Sequence, residues 1–356
     1  MTNRAVTNRR RLDADVLIVG GGVAGVTLLH ALSSAGVDAL LIDAHGVGAS
    51  GASSLPAALL NPHRGRTGRA SALDREGLEA VKRLVRDVEV DGYDSGARFE
   101  GVMRVASSAR QAALWGELTG PLRLTAADIP PHVNAPFGGM LIEEGGWLEP
   151  CRFLAALRGA AEARGARVIE HTTVRAVSSG PTLGAISAIT DAGTLSAREV
   201  VLAPGAYDAA AMRLPFLEHA PGLAATFDLS GTGLHAAADG GARDGGLLLP
   251  LAGSVGIAFV GIKAVVSGTA HHGDERDVER LRASAAWFVP ALRSAPLTAV
   301  WRGVRARRPS GVPVTRRLRS GVTLFGGFGG RGFLCAPLLA RRLALRLANG
   351  PARAHR

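Results

Sequence analysis

Apolar positions change their period along the chain, and each change marks an element. Residues 16–19 form an unbroken apolar run, the pattern of a strand buried on both faces. Gly20, Gly22 and Gly25 come next, and Val23–Ser34 carries helical spacing up to a stop at Gly36. A second apolar run, 37–42, ends in Asp43. Further helices are predicted over 74–90, from the spacing of Leu78, Val81, Leu84 and Val85, and over 109–118 and 277–288. Another spans 151–164, with Phe153, Leu154, Leu157 and Ala161 on one face, and a last one spans 336–347. Strands are predicted at 98–106, 141–143, 168–170, 174–177, 185–190, 200–202, 224–229, 247–249 and 321–325. Residues 46–70, rich in Gly, Ala, Ser and Arg, have no helical period and read as a structured loop.

Strand, glycine turn, helix, strand, acid is the order of a dinucleotide-binding unit. Its first glycine permits the turn, its second lets the backbone approach a pyrophosphate, and its third lets helix and strand pack closely. Phosphates would then sit at the N-terminus of the 23–34 helix, where free N–H groups favour negative charge. Asp43 would accept from a ribose hydroxyl. Strand-rich stretches interrupt segments that look like one α/β layer. The expected fold class is therefore α/β plus α+β: a Rossmann-like domain interleaved with a mostly antiparallel β-sheet domain. The expected boundaries are 13–70, 145–210 and 300–350 for the first domain, and 71–144 and 211–299 for the second.

With 41 basic and 30 acidic residues the chain carries a formal charge of +11, but only Lys82 and Lys263 are lysines. An arginine excess of this kind fits a compositional bias as well as a polyanionic partner, and charge alone leaves both open. Cys151 and Cys335 are the two cysteines. Their spacing implies neither a metal site nor a disulfide framework and fits a reducing, cytoplasmic compartment. Arg9-Arg10-Arg11 imitates a twin-arginine signal, but Asp13 and Asp15 interrupt the start of the next apolar stretch, so residues 1–12 read as a disordered basic tail. The uncharged stretch 245–262 is broken by Gly, Pro250 and Ser254 and suits two strands and a turn better than a membrane span.

Four separated segments carry a resemblance to the D-amino-acid-oxidase-like superfamily of FAD enzymes, the glycine oxidase and sarcosine oxidase type. Within it the chain most resembles the flavin domain of the bifunctional enzymes of methylaminomethyl-uridine synthesis in tRNA. The segments are the glycine unit with Asp43; Gly48-Ala49-Ser50-Gly51-Ala52-Ser53 through Leu59-Leu60-Asn61-Pro62; Gly145-Gly146-Trp147-Leu148-Glu149-Pro150; and the C-terminal pair Trp301-Arg302-Gly303-Val304-Arg305 and GGFGGRGF at 326–333. The resemblance implies a glutathione-reductase-type FAD domain and noncovalent FAD. It places the cofactor against Gly20, Gly22, Val23, Ala24, Gly25, Asp43, Ala44, Ala49, Ser50, Ser53, Val174 and Gly205. Gly327, Gly329, Gly330, Arg331, Gly332 and Phe333 would close over the flavin ring. Pro204 stands where the family has a small polar residue.

The implied reaction oxidises the C–N bond of a glycine-like or N-substituted amino acid by hydride transfer to flavin, giving an imine that water hydrolyses. Arg305 matches the family's carboxylate-binding arginine. Lys263 lies in a strand region comparable to that of the lysine sarcosine oxidases keep over the flavin. His63 and Arg64 could face the ring. Two substrates stay open: the carboxymethylaminomethyl-uridine of tRNA, favoured by the GGWLEP segment and the basic balance, and a free glycine or D-amino acid, favoured because nothing here resembles the methyltransferase half of the tRNA enzymes. An NAD(P)-dependent dehydrogenase would leave the second glycine loop unexplained, and a flavin-binding protein without turnover is the third class. The histidines show no metal spacing, so no metal is expected.

Overall fold

The computed structural model describes residues 12–180, 184–206, 217–232, 246–249, 255–319 and 321–349. The expected tail, 1–12, lies outside them except for Leu12. The chain begins β1 (Ala14–Val19), α1 (Val23–Ser34), β2 (Ala39–Ile42), β3 (Ala58–Leu60), α2 (Ala72–Val90), β4 (Ala97–Arg98), β5 (Val102–Val105), α3 (Ala109–Gly116), β6 (Leu122–Leu124), β7 (Gly139–Ile142), β8 (Gly146–Leu148) and α4 (Pro150–Ala163). It continues β9 (Arg167–Ile169), β10 (Val174–Ser179), β11 (Ile186–Thr190), β12 (Gly193–Leu202), β13 (Glu218–Asp228), β14 (Gly246–Leu249), β15 (Val255–Val260), β16 (Lys263–Thr269), α5 (Glu275–Phe288), β17 (Leu297–Arg307), β18 (Val314–Arg319), β19 (Val322–Gly326) and α6 (Gly332–Ala348).

Two large sheets meet at a cleft. In the first, β19, β12, β1, β2 and β9 run parallel, and β10, β11 and β18 add antiparallel edges. Helices α1, α2, α4 and α6 cover one face, burying Leu28, Leu29, Leu32, Val81, Phe153, Leu157 and Leu343 around Ile18 and Leu41. The strands beneath are apolar on both faces because a second cluster, with Leu17, Leu40, Val200 and Leu324, fills the other side. The second sheet has the order β17-β13-β16-β15-β14-β5-β7-β6 and is antiparallel except where β14 meets β5. A small third sheet, β3-β8-β4, joins the two.

Three expectations need correction. The 98–106 strand is two strands in different sheets: Gly101, at φ +96°, turns the chain between β4 and β5. Helix α2 packs on α6 and touches α4, so residues 72–90 side with the nucleotide layer rather than with the second domain. The whole of β17 is an edge of the second sheet, paired with β13 from Glu218 to Phe227. Both boundary shifts have one cause: an amphipathic helix or strand shows that it needs a partner, not which one.

Helix α5 braces the back of the second sheet through Leu281, Ala285 and Phe288. Its first turn contains Asp277, whose carboxylate accepts from the backbone N–H of His271, His272 and Gly273 at 2.7–3.0 Å. Burial alone would raise this carboxyl. The three N–H donors and Arg280 instead hold it well below the usual carboxylate range. A depressed folded value stabilises above the unfolded value near 4, and that stabilisation is lost as pH falls toward the folded one. Asp277→Asn is therefore expected to lower Tm by a few degrees at pH 7. The gap to wild type should shrink steadily below about pH 4, as thermal melts across pH would show.

Candidate active site

The cleft lies where the C-terminal ends of β1, β12 and β19 face the second sheet. The nucleotide turn forms one wall. Gly20, at φ +111°, passes so close to β12 that a Cβ would lie 2.4 Å from Ala203 O, and a Cβ on Gly25 would lie 1.8 Å from Gly20 O. Close packing of this turn thus demands glycine at the first and third positions, as the spacing predicts. Gly22 lines the cleft beside Ser53, whose Oγ accepts from Val23 N at 2.9 Å. Asp43 closes the turn from the end of β2, accepting from Gly21 N at 2.5 Å and His45 N at 2.8 Å. Beyond it, Thr172 N donates to Asp43 O at 2.9 Å, which brings the start of β10 alongside. Val174 and Ala44 belong to this outer end and do not line the cleft itself, and neither do Ala49 and Ser50.

A second helix terminus abuts the first. A Cβ on Gly332, the first residue of α6, would lie 3.0 Å from Val23 Cγ1 at the start of α1. Neither helix has a side-chain cap or an acidic residue in its first turn. Orphan N–H groups and two positive dipole ends therefore converge on one cleft, an arrangement that favours anionic ligand groups. Helix α6 starts four residues before the expected 336, with Pro337 inside it. Gly332 and Phe333 accordingly belong to its first turn. The Phe333 ring packs edge-on to Phe153 at 6.1 Å within the helical core, and the residue also lines the cleft. Arg331 is spent: its guanidinium meets the buried Asp74 at 3.2 Å. Gly205, Gly327, Gly329 and Gly330 do line the cleft.

The second sheet supplies the opposite wall through β13, β15, β16 and β17. Gly222 and Gly303 face each other in register across β13 and β17. A Cβ on Gly303 would lie 2.3 Å from the Trp301 ring. That space lets the indole lie flat on the strand while its Nε1 donates to Ser54 Oγ at 2.9 Å, tying the second loop to this sheet. Arg305, two residues further on the same face, lines the cleft. Its Nε is buried without a hydrogen-bond partner, and among the described residues no carboxylate pairs with it. Burial, and then neighbouring Arg307, lower its pKa.

Two other catalytic candidates fare differently. Lys263 is exposed at the β15–β16 hairpin end and does not line the cleft; Ser267 and Gly268, further along β16, do. Strand register separates them, and a single sequence does not reveal register. His63 lines the cleft but is a brace: its Nδ1 meets Gly68 O at 2.8 Å and its Nε2 faces Glu144 at 3.8 Å. Burial lowers its pKa, so the neutral ring is favoured. Arg104 is a cleft residue that sequence reasoning misses. It donates to His63 O at 2.9 Å and Gly65 O at 2.8 Å and stacks on Trp115 at 4.5 Å. Its one signal is an arginine inside an apolar strand, on the same face as the buried Val102.

Trp147 of the GGWLEP segment is core, packed with Ala57, Ala224, Ala258 and Val265 beneath the cleft. Cys335 is buried beside Asp74, and its pKa is pushed up to about 12 by burial first and Asp74 second. Among the described residues no group of His, Cys, Asp and Glu could hold a metal, and no helix is long and apolar enough to cross a membrane.

The donors present fit FAD. Asp43 and the start of β10 suit the adenosine end, the glycine turn the diphosphate, and the first turn of α6 the flavin head. Known proteins agree. The chain is 33% identical over 349 residues to the tRNA 5-methylaminomethyl-2-thiouridine biosynthesis bifunctional protein MnmC of Maricaulis maris (strain MCS10), covering 95% of this chain and 53% of that protein. It spans about half the length of the first MnmC relatives it matches. It is 24% identical over 361 residues to glycine oxidase of Bacillus licheniformis, covering 95% and 94%. Its fold matches the crystal structure of glycine oxidase from Geobacillus kaustophilus with a TM-score of 0.77, at 23% identity and 94% coverage of each chain. Residues 15–346 match the DAO family model, and the chain is a member of this family of FAD dependent oxidoreductases.

Proposed function

We propose that this enzyme oxidises the C–N bond of a glycine-like or N-substituted amino acid and that Arg305 holds the substrate carboxylate. The observation that carries this reading is the Arg305 guanidinium itself: in the cleft, partly desolvated and, among the described residues, without a carboxylate of its own. A planar fork can grip both oxygens of a carboxylate and so fix the α-carbon. The bound cofactor supplies the two-electron acceptor. The protein's remaining task is to present the amine in its neutral form, because the C–H bond breaks with its electron pair toward the acceptor as the nitrogen lone pair forms the imine. Nearby guanidinium charge disfavours an ammonium and so favours the free amine. Water then hydrolyses the imine.

A second reading is specific to tRNA. Similarity to MnmC and the GGWLEP segment favour a carboxymethylaminomethyl-uridine substrate, whose glycine-like unit the same clamp would hold. Arg307 and Arg308, which lie against the cleft glycines Gly329 and Gly327, give the rim a basic edge that suits a polyanion. The test is anaerobic reduction of the FAD-loaded protein by glycine, sarcosine, D-amino acids and undermodified tRNA. Bleaching by at least one glycine-like compound is expected, and bleaching by none overturns the reading. Strongly salt-dependent tRNA binding together with bleaching by tRNA would select the second substrate.

A further inference from the structure

Arg64 is a cation that the clamp alone does not explain. It sits in the loop after β3, on the nucleotide side of the cleft, whereas Arg305 comes from the opposite sheet. The two guanidinium groups converge. A Cβ on Gly330 would lie 3.4 Å from Arg305 Nη1 and 3.6 Å from Arg64 Nη2. The hydrogen bond seen for Arg64 is a long one, 3.4 Å to Gly330 O. Asp74 is the carboxylate that acts on it most, and Asp74 is already engaged by Arg331 and by Ser71, whose Oγ donates at 2.6 Å. The loop is built to hold Arg64 there: Arg104 grips the carbonyls on both sides of it, at His63 and Gly65, and Trp115 Nε1 donates to Arg66 O at 3.0 Å. Arg104 brings a third positive charge, bonded to carbonyls and not to an acid.

Two half-buried like charges directed at one point repel unless an anion lies between them. One carboxylate compensates one of them. We infer that Arg64 is a specificity residue for a second acidic group, and that the substrate is an amino acid whose two acid groups lie within a few bonds of each other. This rests on the proposed amine oxidation only in taking Arg305 as the clamp for the first carboxylate. Arg104 is a positioning residue that holds the Arg64 loop.

The test compares anions that differ by one charge. With the FAD-loaded protein, calorimetric titration is expected to show malonate binding at least about tenfold tighter than acetate. Arg64→Gln should cost malonate about tenfold more than it costs acetate, and Arg64→Lys, which keeps the charge without the fork, should fall between. In turnover, iminodiacetate should exceed sarcosine in kcat/KM, and Arg64→Gln should shrink that ratio at least about tenfold. Thermal melts and flavin content of both variants show that they are folded and loaded. No preference for malonate in wild type overturns the inference. So does an equal loss for both anions in Arg64→Gln, since both guanidiniums would then grip one carboxylate. If neither amine is oxidised and no other glycine-like compound bleaches the flavin, the proposed reaction fails, and the anion titrations still decide the role of Arg64.

Discussion

Gly25→Ala is expected to yield a protein that no longer retains FAD. A Cβ at this position would lie 1.8 Å from the carbonyl oxygen of Gly20, and that oxygen belongs to the turn itself. Neither partner is a side chain that can swing away. The backbone of α1 and the turn must separate, and the turn is already pinned on its far side, where a Cβ on Gly20 would lie 2.4 Å from Ala203 O. Overpacking of this kind costs about 1–3 kcal/mol or more in stability. The larger effect is on the ligand. Backbone N–H groups aimed at a diphosphate contribute charge-assisted bonds of about 1.5–3 kcal/mol each, so displacing two of them predicts an affinity loss of about a hundredfold or more. The ratio of flavin to protein absorbance after purification and fluorescence titration with FAD measure this. Gly36→Ala is the control. Gly36 also has a positive φ, +67°, but nothing lies within 4 Å of its Cβ position. It should cost about 1 kcal/mol in stability and leave FAD retention as in wild type. Equal FAD retention in Gly25→Ala and Gly36→Ala would show that the turn does not contact the cofactor.

The parts of this molecule that are legible from sequence are those whose physics is local. The β1–α1–β2 unit can be read because its glycines, helical spacing and terminal acid lie within thirty residues, and α1 runs over the predicted Val23–Ser34. The C-terminal loop reads as a flavin-closing segment, but its helix starts four residues before the predicted 336. Proline is favoured in the first turn of a helix, so Pro337 suggests a start at 336, while the run of glycines before it suggests a loop. In the fold that start lies against Val23, which is about three hundred residues away in sequence, a proximity no local pattern displays. Lys263 fails as a cleft residue for a similar reason. Its strand is identifiable, but which of its residues face the cleft depends on the β13–β16 and β15–β16 registers, and a hairpin end is exposed whatever its sequence. Arg305 is singled out by its match to the family's carboxylate-binding arginine and not by any predicted strand; in the fold it lines the cleft from the same face of β17 as Trp301 and Gly303. Arg104 and the convergence of Arg64 with Arg305 depend on two layers meeting, and no local pattern encodes that.

Arg305→Met is expected to lower kcat/KM for the best glycine-like substrate by about a thousandfold, since a bidentate charge-assisted pair contributes roughly 3–5 kcal/mol. Both constants should suffer. Binding loses its anion partner, and the rate at saturation falls because the α-carbon is no longer held in line with the acceptor. Stability should move the other way. Arg305 has a buried Nε without a partner and lies close to Arg64 and Arg307, so its charge is a cost in the free protein. Methionine keeps much of the stem and removes that charge, so Tm should hold or rise and FAD content should match wild type. Such a trade of stability for function separates a ligand-binding arginine from a structural one, whose loss would lower Tm. Arg305→Lys should recover only part of the activity, because an ammonium restores the charge and not the planar fork. Stopped-flow measurement of flavin reduction against substrate concentration, beside a thermal melt, reads all of these. A variant that reduces flavin as fast as wild type and melts several degrees lower would assign Arg305 to the scaffold of β17 and leave the carboxylate to another residue of the cleft.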